Sequence, residues 1–352
     1  MLVPTTVVAL YILLGVSLLC WGSWISTLKA TKKWRFELFS YDFTLGVAVA
    51  SVAAAFTLGM WNPRDLTFQD NFLLAGYRKM AWCLGSGVVF NLANLLLMAG
   101  TTTSATAIAF PIAFSLAWAV GAIWLFAVRT DVNGMLTVSG SALMVIACVL
   151  AALAYFWHHE AEEHKKFKAL RADPRIKKTG PPAKNPARGI VLSAIGGLIM
   201  GVFYPAITEG TAGDNGVSAY GAVLLMATGV FGSTILFVPF FLNFPVEGEP
   251  LMVRAYFKGS KGRHGLGLLG GMLWTAAVLA GLVAGEAESA RVSPAVAYAF
   301  THGGPVLAAL LGLTVWRELP GSTMRVKMML AAMLVLFLAG LLLLALAPVF
   351  GT

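Results

Sequence analysis

The chain alternates between long apolar runs and short polar segments. Ten of the runs are about 20 residues or longer and contain few charges. A bilayer core about 30 Å thick is crossed by roughly 20 helical residues, so each run predicts a membrane-spanning helix. The predicted spans are 5–28, 41–60, 80–99, 104–127, 133–157, 189–208, 218–243, 264–284, 293–315 and 322–349. The pattern predicts an all-α integral membrane protein with ten transmembrane helices.

The first apolar run differs from a secretion signal. It is longer than the apolar part of such a signal, no basic segment precedes it, and no small-residue cleavage site follows it. We therefore expect the first span to remain in the mature protein.

Composition agrees with this interpretation. Hydrophobic residues make up 58% of the 352 residues and charged residues 12%, and the mean hydropathy is +0.79. A soluble protein of this length lacks the polar surface to cover so much apolar area. The net charge of +9 does not indicate nucleic-acid binding, because the basic residues lie in short segments between spans. The three cysteines lie inside spans without paired spacing, so neither a disulfide framework nor a metal site is indicated.

The basic residues also predict how the chain is oriented. Nine of the 25 Lys and Arg residues lie in the segment 158–188. If the N-terminus is outside, cytoplasmic segments hold 20 basic residues and outer segments hold 5. Cytoplasmic loops are the basic ones, so we expect a multi-pass protein of the cell (inner) membrane. The segment 158–188 is then cytoplasmic, and both termini are outside.

The same segment divides the chain into two similar halves. Residues 1–157 form a first group of five spans, 158–188 form a linker, and 189–352 form a second group that enters the membrane from the opposite side. The two halves can be aligned by adding a fixed number to each position of the first half. Adding 179 aligns Gly22 with Gly201 and Trp24 with Phe203, adding 185 aligns Gly100 with Gly285, and adding 191 aligns Gly121 with Gly312. Inverted five-helix repeats are typical of transporters. Chance is the alternative, because 37 glycines produce matches easily.

Few polar side chains lie deep inside the spans, and these are the candidate solute contacts. Asn91 and Asn94 are three residues apart, hence on one helical face, and their amides suit the hydroxyls or amides of an uncharged solute. His302 is near the middle of the ninth span, where it could carry a proton or bind solute. The alternative for all three is hydrogen bonding between neighbouring helices.

Tryptophans also lie inside the spans. Trp21 and Trp24 are in the first span, Trp118 is in the fourth, and Trp274 is near the middle of the eighth. An indole ring stacks on sugars and heterocycles, and its N–H is a donor. We expect Trp21, Trp24 and Trp274 to contact solute, and core packing is the alternative.

Prolines predict interrupted helices. Pro205 lies in the sixth span, Pro111 in the fourth, and Pro305 follows two glycines in the ninth. By the offset of 191, Pro111 corresponds to His302. Breaks in corresponding spans are a pointer to a transport site, although kinks can also be architectural.

The remaining candidates are acids and histidines near span ends. Glu209, Glu286 and Glu288 lie at outer ends, and Glu209 is a candidate proton site beside His302, with solvated loop acids as the alternative. Asp42 is expected to pair with the nearby basic residues that precede it. The histidine-rich run 158–164 continues into lysines and favours a charged helix end over a metal site. No metal or cofactor is expected.

Several motifs resemble a known group of transporters. Cys20-Trp-Gly-Ser-Trp24, Lys33-Trp-Arg-Phe-Glu-Leu-Phe39, Gly270-Gly-Met-Leu-Trp274 and the segment 303–318 are similar to the glucose/ribose/rhamnose porter and ureide permease group of the drug/metabolite transporter superfamily. The resemblance covers essentially the whole chain. It implies ten helices in two inverted repeats, a central site and, for the sugar porters, proton-coupled uptake. Ile25 stands where the ureide permeases have a proline, which weakens a ureide assignment.

The sequence therefore predicts a secondary active transporter that takes up a small polar uncharged solute, most specifically a sugar, by proton-coupled alternating access. Its expected partners are the solute, the lipid bilayer and a coupling proton or cation. An exporter on the same fold and a ureide or nucleobase permease are the alternatives. An enzyme is not expected, because no clustered acids, histidines or nucleophile-base set lie at one depth. A channel is disfavoured, because no ring of pore-lining charges or filter-like repeat is present.

Overall fold

The computed structural model describes residues 1–32, 34–61, 67–128, 132–172, 186–286 and 299–351, with side chains described in these ranges except at 169–172. Every regular element in these ranges is helical. Nine helices there are long and apolar enough to cross a membrane. They are α1 (Val7–Ala30), α2 (Phe36–Phe56), α4 (Tyr77–Thr103), α5 (Thr106–Val128), α6 (Gly134–Ala172), α7 (Pro186–Thr211), α8 (Ala219–Asn243), α9 (Lys261–Gly285) and α11 (Met324–Leu346). The chain is a multi-pass all-α membrane protein.

Shorter helices complete the fold. The helix α3 (Phe68–Leu74) precedes α4 and begins with a capping box between Thr67 and Asp70. The helix α10 (Gly304–Thr314) precedes α11, and two 3₁₀-helices cover Leu58–Met60 and Val253–Lys258. The helix α3 and the 3₁₀-helix Val253–Lys258 lie outside the predicted spans, because neither has the long apolar run that marks a span.

Nine of the ten predicted spans coincide with the nine long helices. The ninth predicted span, 293–315, is described only from residue 299, where Ala299–Thr314 forms a shorter apolar helix. A break at Gly303 separates a single turn, 299–302, from α10. The position of this break agrees with the prediction made from Gly303, Gly304 and Pro305, since proline fits the first turn of a helix but not its interior.

The helix α6 extends beyond its predicted end. It continues from the apolar span into the basic segment as far as Ala172. Lys165 and Glu162 pair there with an N–O distance of 2.8 Å, and Lys165 also donates to the carbonyl of Gly321 before α11. The first part of the predicted linker is therefore a continuation of α6. Residues 173–185 lie outside the described residues.

Helices of the two predicted halves are interleaved. The helix α4 packs on α7 and α8, while α1 and α2 pack on α9. The helix α5 packs on α7, and α10 packs on α1. The pairs α2 with α8, α5 with α10, and α6 with α11 join corresponding spans of the two halves. The pairing of α5 with α6 has only a weak counterpart in α10 and α11.

Contacts between loops define the two ends of this bundle. At one end, called here the basic end, Lys29 in the last turn of α1 pairs with Glu318 after α10. At the same end, Arg35 before α2 donates to the carbonyl of Glu249 between α8 and α9. At the opposite end, Leu2 donates to the carbonyl of Leu58, and Asn133 donates to that of Phe350. Residues 2 and 350 therefore lie at the same end of the bundle.

Glycines let two helix pairs approach to backbone contact. At the crossing of α4 and α8, added Cβ atoms at Gly87 and Gly229 would overlap backbone atoms of the other helix. At the crossing of α2 and α9, Gly46 and Gly271 are placed in the same reciprocal way. Small residues drive this type of packing in membranes, where backbones gain contact by close approach.

Candidate functional site

An aromatic cluster fills the centre of the bundle, where helices of both halves converge. The indole of Trp274 on α9 stacks on Phe90 of α4, with ring centroids 3.9 Å apart and planes inclined by 25°. Trp21 of α1 and Phe43 of α2 contact the same indole with centroids at 6.1 and 6.2 Å. Phe203 of α7 lies 5.5 Å from Phe90. Five helices thus contribute a ring to one core.

Trp24 extends this cluster toward the basic end. It lies one turn beyond Trp21 on α1 and contacts Phe43 and Phe110 with centroid distances of 5.1 and 6.0 Å. The side chain is fully buried, and its indole N–H has no acceptor in the described part of the chain. The indole N–H of Trp274 is likewise without an acceptor there. A buried donor without a partner carries a free-energy cost of about 1–3 kcal/mol, and a ligand that accepts from it removes that cost.

The two asparagines have different surroundings. The Nδ2 of Asn91 donates within 3.0 Å to the carbonyl of Val230, to Oγ of Ser233 and to Oγ1 of Thr234, all on α8. Asn91 therefore joins α4 to α8, which is the interhelical alternative considered from the sequence.

Asn94 is only 1% exposed, and neither its Nδ2 nor its Oδ1 has a hydrogen-bond partner among the described residues. It lies one turn from Phe90 on the same face of α4. Because the Phe90 ring faces Trp274 and Phe203, this face of α4 points to the aromatic cluster. Asn94 thus offers a free donor and a free acceptor in the interior of the bundle.

His302 lies at the edge of the aromatic cluster. Its ring stands edge-on to Trp118 of α5 and Tyr204 of α7, with centroids at 4.4 and 4.7 Å. The residue is 2% exposed and ends the turn 299–302 just before the break at Gly303. The predicted depth of His302 therefore agrees with its burial among aromatic rings.

The predicted breaks at Pro111 and Pro205 do not end their helices. The helix α5 continues through Pro111, and α7 continues through Pro205. Proline removes one backbone hydrogen bond and frees the carbonyl four residues earlier. For Pro205 that carbonyl belongs to Gly201, and it faces Gly121 of α5, where an added Cβ would lie 3.4 Å away. The close approach of α5 supports α7 at this point, so the helix continues.

Glu209, the alternative to His302 as a predicted proton site, lies at the end of the bundle opposite the basic end, at the end of the sixth predicted span. It is in the last turn of α7, and its side chain is 40% exposed. Lys79 in the first turn of α4 donates to its backbone carbonyl at 2.7 Å and lies 3.9 Å from Oε2. Glu209 therefore lies at the end of α7 and outside the aromatic cluster. Glu288 lies outside the described residues.

Glu286 is partly buried after α9 and accepts at 2.6 Å from the backbone N–H of Ala219, which begins α8. Burial raises the pKa of this carboxyl. It acts as a cap for a helix N-terminus, where a carboxylate is favourable.

A cleft of about 420 Å³ opens at the basic end, a size typical of small-molecule pockets. Leu28 of α1 and Thr101 of α4 line it, together with Trp34, Trp316 and Glu247. Leu28 is one turn from Trp24 and Thr101 is two turns from Asn94, so the walls of the cleft continue along the same helix faces to the candidate site.

Sequence reasoning missed one polar cluster, which also lies at the basic end. Asp42 on α2 is 1% exposed. Its carboxylate accepts from the hydroxyl of Tyr256 at 2.5 Å and lies 2.9 and 3.0 Å from Nδ1 of His264 on α9. The predicted pairing of Asp42 with the preceding basic residues is not found in the described residues, because Arg35 pairs with Glu37 instead. No local pattern signals this contact, since its partners are more than 200 positions away along the chain.

The histidine-rich run 158–164 is part of α6. His158 lies within 3.0 Å of the Ser322 hydroxyl through its Nδ1. Within the described ranges no group of three or more His, Cys, Asp or Glu side chains is arranged to hold a metal ion.

Comparisons with family models, with curated proteins and with solved structures found no match to this chain.

Proposed function

We propose that this protein is a secondary active transporter for a small polar uncharged solute, most specifically a sugar, taken up with a coupling proton. The single observation that carries the proposal is the set of unpaired polar atoms in the aromatic cluster and one helical turn from it. Both amide atoms of Asn94 and the indole N–H groups of Trp24 and Trp274 are buried without partners in the described part of the chain. A solute hydroxyl both donates and accepts, so it matches this set.

The aromatic rings around these atoms suit the same class of solute. Indole faces stack on the apolar faces of sugar rings, while the N–H groups bind hydroxyls. The cluster contains no acid among its ring-contacting members, so an uncharged solute fits it better than a cation. Trp21, Trp24, Asn94 and Trp274 are the proposed solute contacts. Asn91 and His302 are proposed to position the walls of the site and remain candidates for direct contact.

The helix packing supports two inverted repeats. In the predicted repeat, α1 corresponds to α7, α2 to α8, and α4 to α9. The contact of α1 with α9 then corresponds to that of α7 with α4, and the contact of α2 with α9 to that of α8 with α4, and all four contacts are present. The equivalence of Gly22 and Gly201 is also supported. Added Cβ atoms would overlap Leu307 of α10 at the first position and Val120 of α5 at the second, and these two helices are counterparts. Rocking of such halves exposes a central site to each side in turn.

The basic end is proposed to be cytoplasmic, with both termini outside. Among the described residues this end holds Arg35, Arg263 and Arg325, as the positive-inside rule requires of a cytoplasmic face. The cleft opens at this end, while hydrogen bonds between Leu2, Leu58 and Tyr220 tie the opposite end together. The conformation is thus proposed to face inward.

The resemblance of the first, eighth and ninth spans to the glucose/ribose/rhamnose porter group agrees with this proposal. Two alternatives use the same fold. An exporter would share the central site but move its solute outward, and a ureide or nucleobase permease would stack a planar solute on Trp274. The amide of Asn94 would serve either solute, so transport assays must separate them.

The test is uptake into proteoliposomes with an imposed proton gradient, using labelled D-glucose, D-ribose, L-rhamnose, allantoin and uracil. The proposal predicts gradient-driven accumulation of at least one sugar. Asn94→Ala should reduce this uptake at least 10-fold, whereas Asn243→Ala, on the exposed end of α8, should leave it unchanged. Accumulation of allantoin or uracil alone would favour the permease alternative. Absence of any gradient-driven accumulation would contradict the proposal.

A further inference from the structure

The polar cluster of Asp42, His264 and Tyr256 joins the two predicted halves of the chain. Asp42 belongs to α2 in the first half, while His264 begins α9 and Tyr256 precedes it in the second. The helices approach to backbone contact here, since an added Cβ at Gly267 would overlap Cβ of Asp42. The cluster therefore lies at a place where relative movement of the halves changes the contacts of a buried carboxylate.

We propose that Asp42 and His264 form the proton-coupling site of this protein, an inference that rests on the proposed transport function. The coupling proton binds to Nε2 of His264. The neutral imidazole, whose Nδ1–H donates to Asp42, becomes an imidazolium that still donates to it. Binding of one proton changes the pair from a single negative charge to no net charge. A buried net charge is unfavourable at the edge of the hydrocarbon region, so the loaded pair is the one that permits the halves to move.

The position of the imidazole gives the proton a path to water. The Nδ1 atom faces the carboxylate, while Nε2 lies beside Gly259, where an added Cβ would be 2.5 Å from it. The side chain of His264 is 24% exposed, whereas that of Asp42 is 2% exposed. Imidazole is the side chain that ordinarily changes charge near neutral pH. A proton from solution therefore binds the partly exposed ring, whose other nitrogen faces the buried carboxylate.

Four described neighbours of the pair carry titratable or charged groups that have other contacts or keep their proton. Burial, followed by the hydrogen bond to Asp42, raises the pKa of the Tyr256 hydroxyl, so Tyr256 remains a donor. Arg263, next to His264, lies over the ring of Trp34 at 5.3 Å. Arg35 and Glu37, at the start of α2, pair with each other.

Trp34 connects this pair to the cleft. Its ring is 5.7 Å from that of His264, and the same residue lines the cleft at the basic end. Its indole N–H is buried without an acceptor in the part of the chain that the structure describes. A solute in the cleft would therefore contact the residue that packs on the proton-binding ring, which gives solute and proton a shared neighbour.

The test separates coupling from transport. Two rates are compared for the sugar that the wild type accumulates. One is accumulation of labelled sugar in empty proteoliposomes under a proton gradient. The other is exchange of labelled for unlabelled sugar, without a gradient, in proteoliposomes loaded with unlabelled sugar. Asp42→Asn and His264→Gln should each lose gradient-driven accumulation at least 10-fold while retaining exchange within about 3-fold. Asp70→Asn, an acid-to-amide change at the opposite end, should keep both rates. His302→Gln and Glu209→Gln should keep the pH dependence of accumulation.

Two results of the transport assays would overturn the proposal while leaving the transport function intact. The first is wild-type accumulation in both Asp42→Asn and His264→Gln. The second is an accumulation that no longer depends on pH in His302→Gln or Glu209→Gln but still depends on pH in Asp42→Asn and His264→Gln. The site is also tested without a solute by infrared pH-difference spectra of purified protein, in which the imidazole signal of the wild type should be shifted or lost in Asp42→Asn. Identical spectra would overturn the proton site. Failure of the wild type to accumulate or exchange any sugar would instead count against the proposed function.

Discussion

Replacement of Gly87 by alanine tests whether α4 and α8 cross at backbone contact. The added Cβ would lie 2.8 Å from the carbonyl carbon of Met226 and 3.0 Å from its Cα, with the carbonyl oxygen nearer still. Carbon atoms in ordinary contact are about 3.5–4.0 Å apart, so the helices must separate by about 1 Å. Overpacking costs about 1–3 kcal/mol. We expect the upper end of this range, because the obstacle is backbone and no side chain can rotate away.

Gly85 provides the control on the same helix. An added Cβ there has no atom within 4 Å, so Gly85→Ala should be neutral or should stabilise the helix by about 0.5–1 kcal/mol, because alanine loses less backbone entropy than glycine. The two variants should therefore differ by about 3–4 kcal/mol in the free energy of unfolding.

The measurement is equilibrium unfolding of the purified protein in mixed micelles by titration with a denaturing detergent, followed by tryptophan fluorescence. Gly229→Ala, on the α8 side of the same crossing, should behave like Gly87→Ala, since its Cβ would overlap the carbonyl oxygen of Leu84. If Gly87→Ala and Gly85→Ala unfold within about 0.5 kcal/mol of each other, the close crossing is refuted.

Three further predictions use the same unfolding assay. Asn91→Leu should lower the free energy of unfolding by about 1–2 kcal/mol, because it removes the amide that joins α4 to α8. Asn94→Leu should be neutral or stabilising, because its amide atoms are unpaired in the described residues. An equal loss of stability in both variants would contradict this difference. Glu318→Gln should cost about 1–2 kcal/mol, since the carboxylate pairs with Lys29 and accepts from the N–H of Ala107 at the start of α5; a stability equal to that of the wild type would contradict the assignment. Burial raises the pKa of Glu286 above 4.5, so the folded state binds this proton more tightly than the unfolded state does. Wild-type stability should therefore fall as pH rises from 4.5 through the raised pKa. Glu286→Gln should remove this part of the pH dependence of stability, and the same pH dependence in the variant and the wild type would contradict the prediction.

The long apolar runs were sufficient to predict most helices of the fold. A span needs only length and low charge, both of which are local properties, so nine predicted spans coincide with long helices. The break before Pro305 was also predictable, since proline and glycine act on the backbone where they stand. By contrast, Pro205 lies within a continuous helix, because a neighbouring helix, absent from any local pattern, packs against the freed carbonyl.

The candidate site was predicted only in part. Polar side chains deep in a span are expected to face the interior of the bundle, so the burial of Asn94 and His302 agrees with their positions in the sequence. Whether a buried amide is paired depends on which helix faces it. Asn91 and Asn94 share one helical face, but only Asn91 meets hydroxyls on α8.

Residues close together in the chain are enough to specify the long apolar helices, the basic segments between them and the small set of polar groups deep in the spans. The tertiary structure alone decided which of those groups meet. Asp42 and His264 are 222 positions apart, and they pair because glycines on α2 and α9 allow the two backbones to touch. Contacts of this kind depend on the packing of whole helices, so no local pattern of residues contains them.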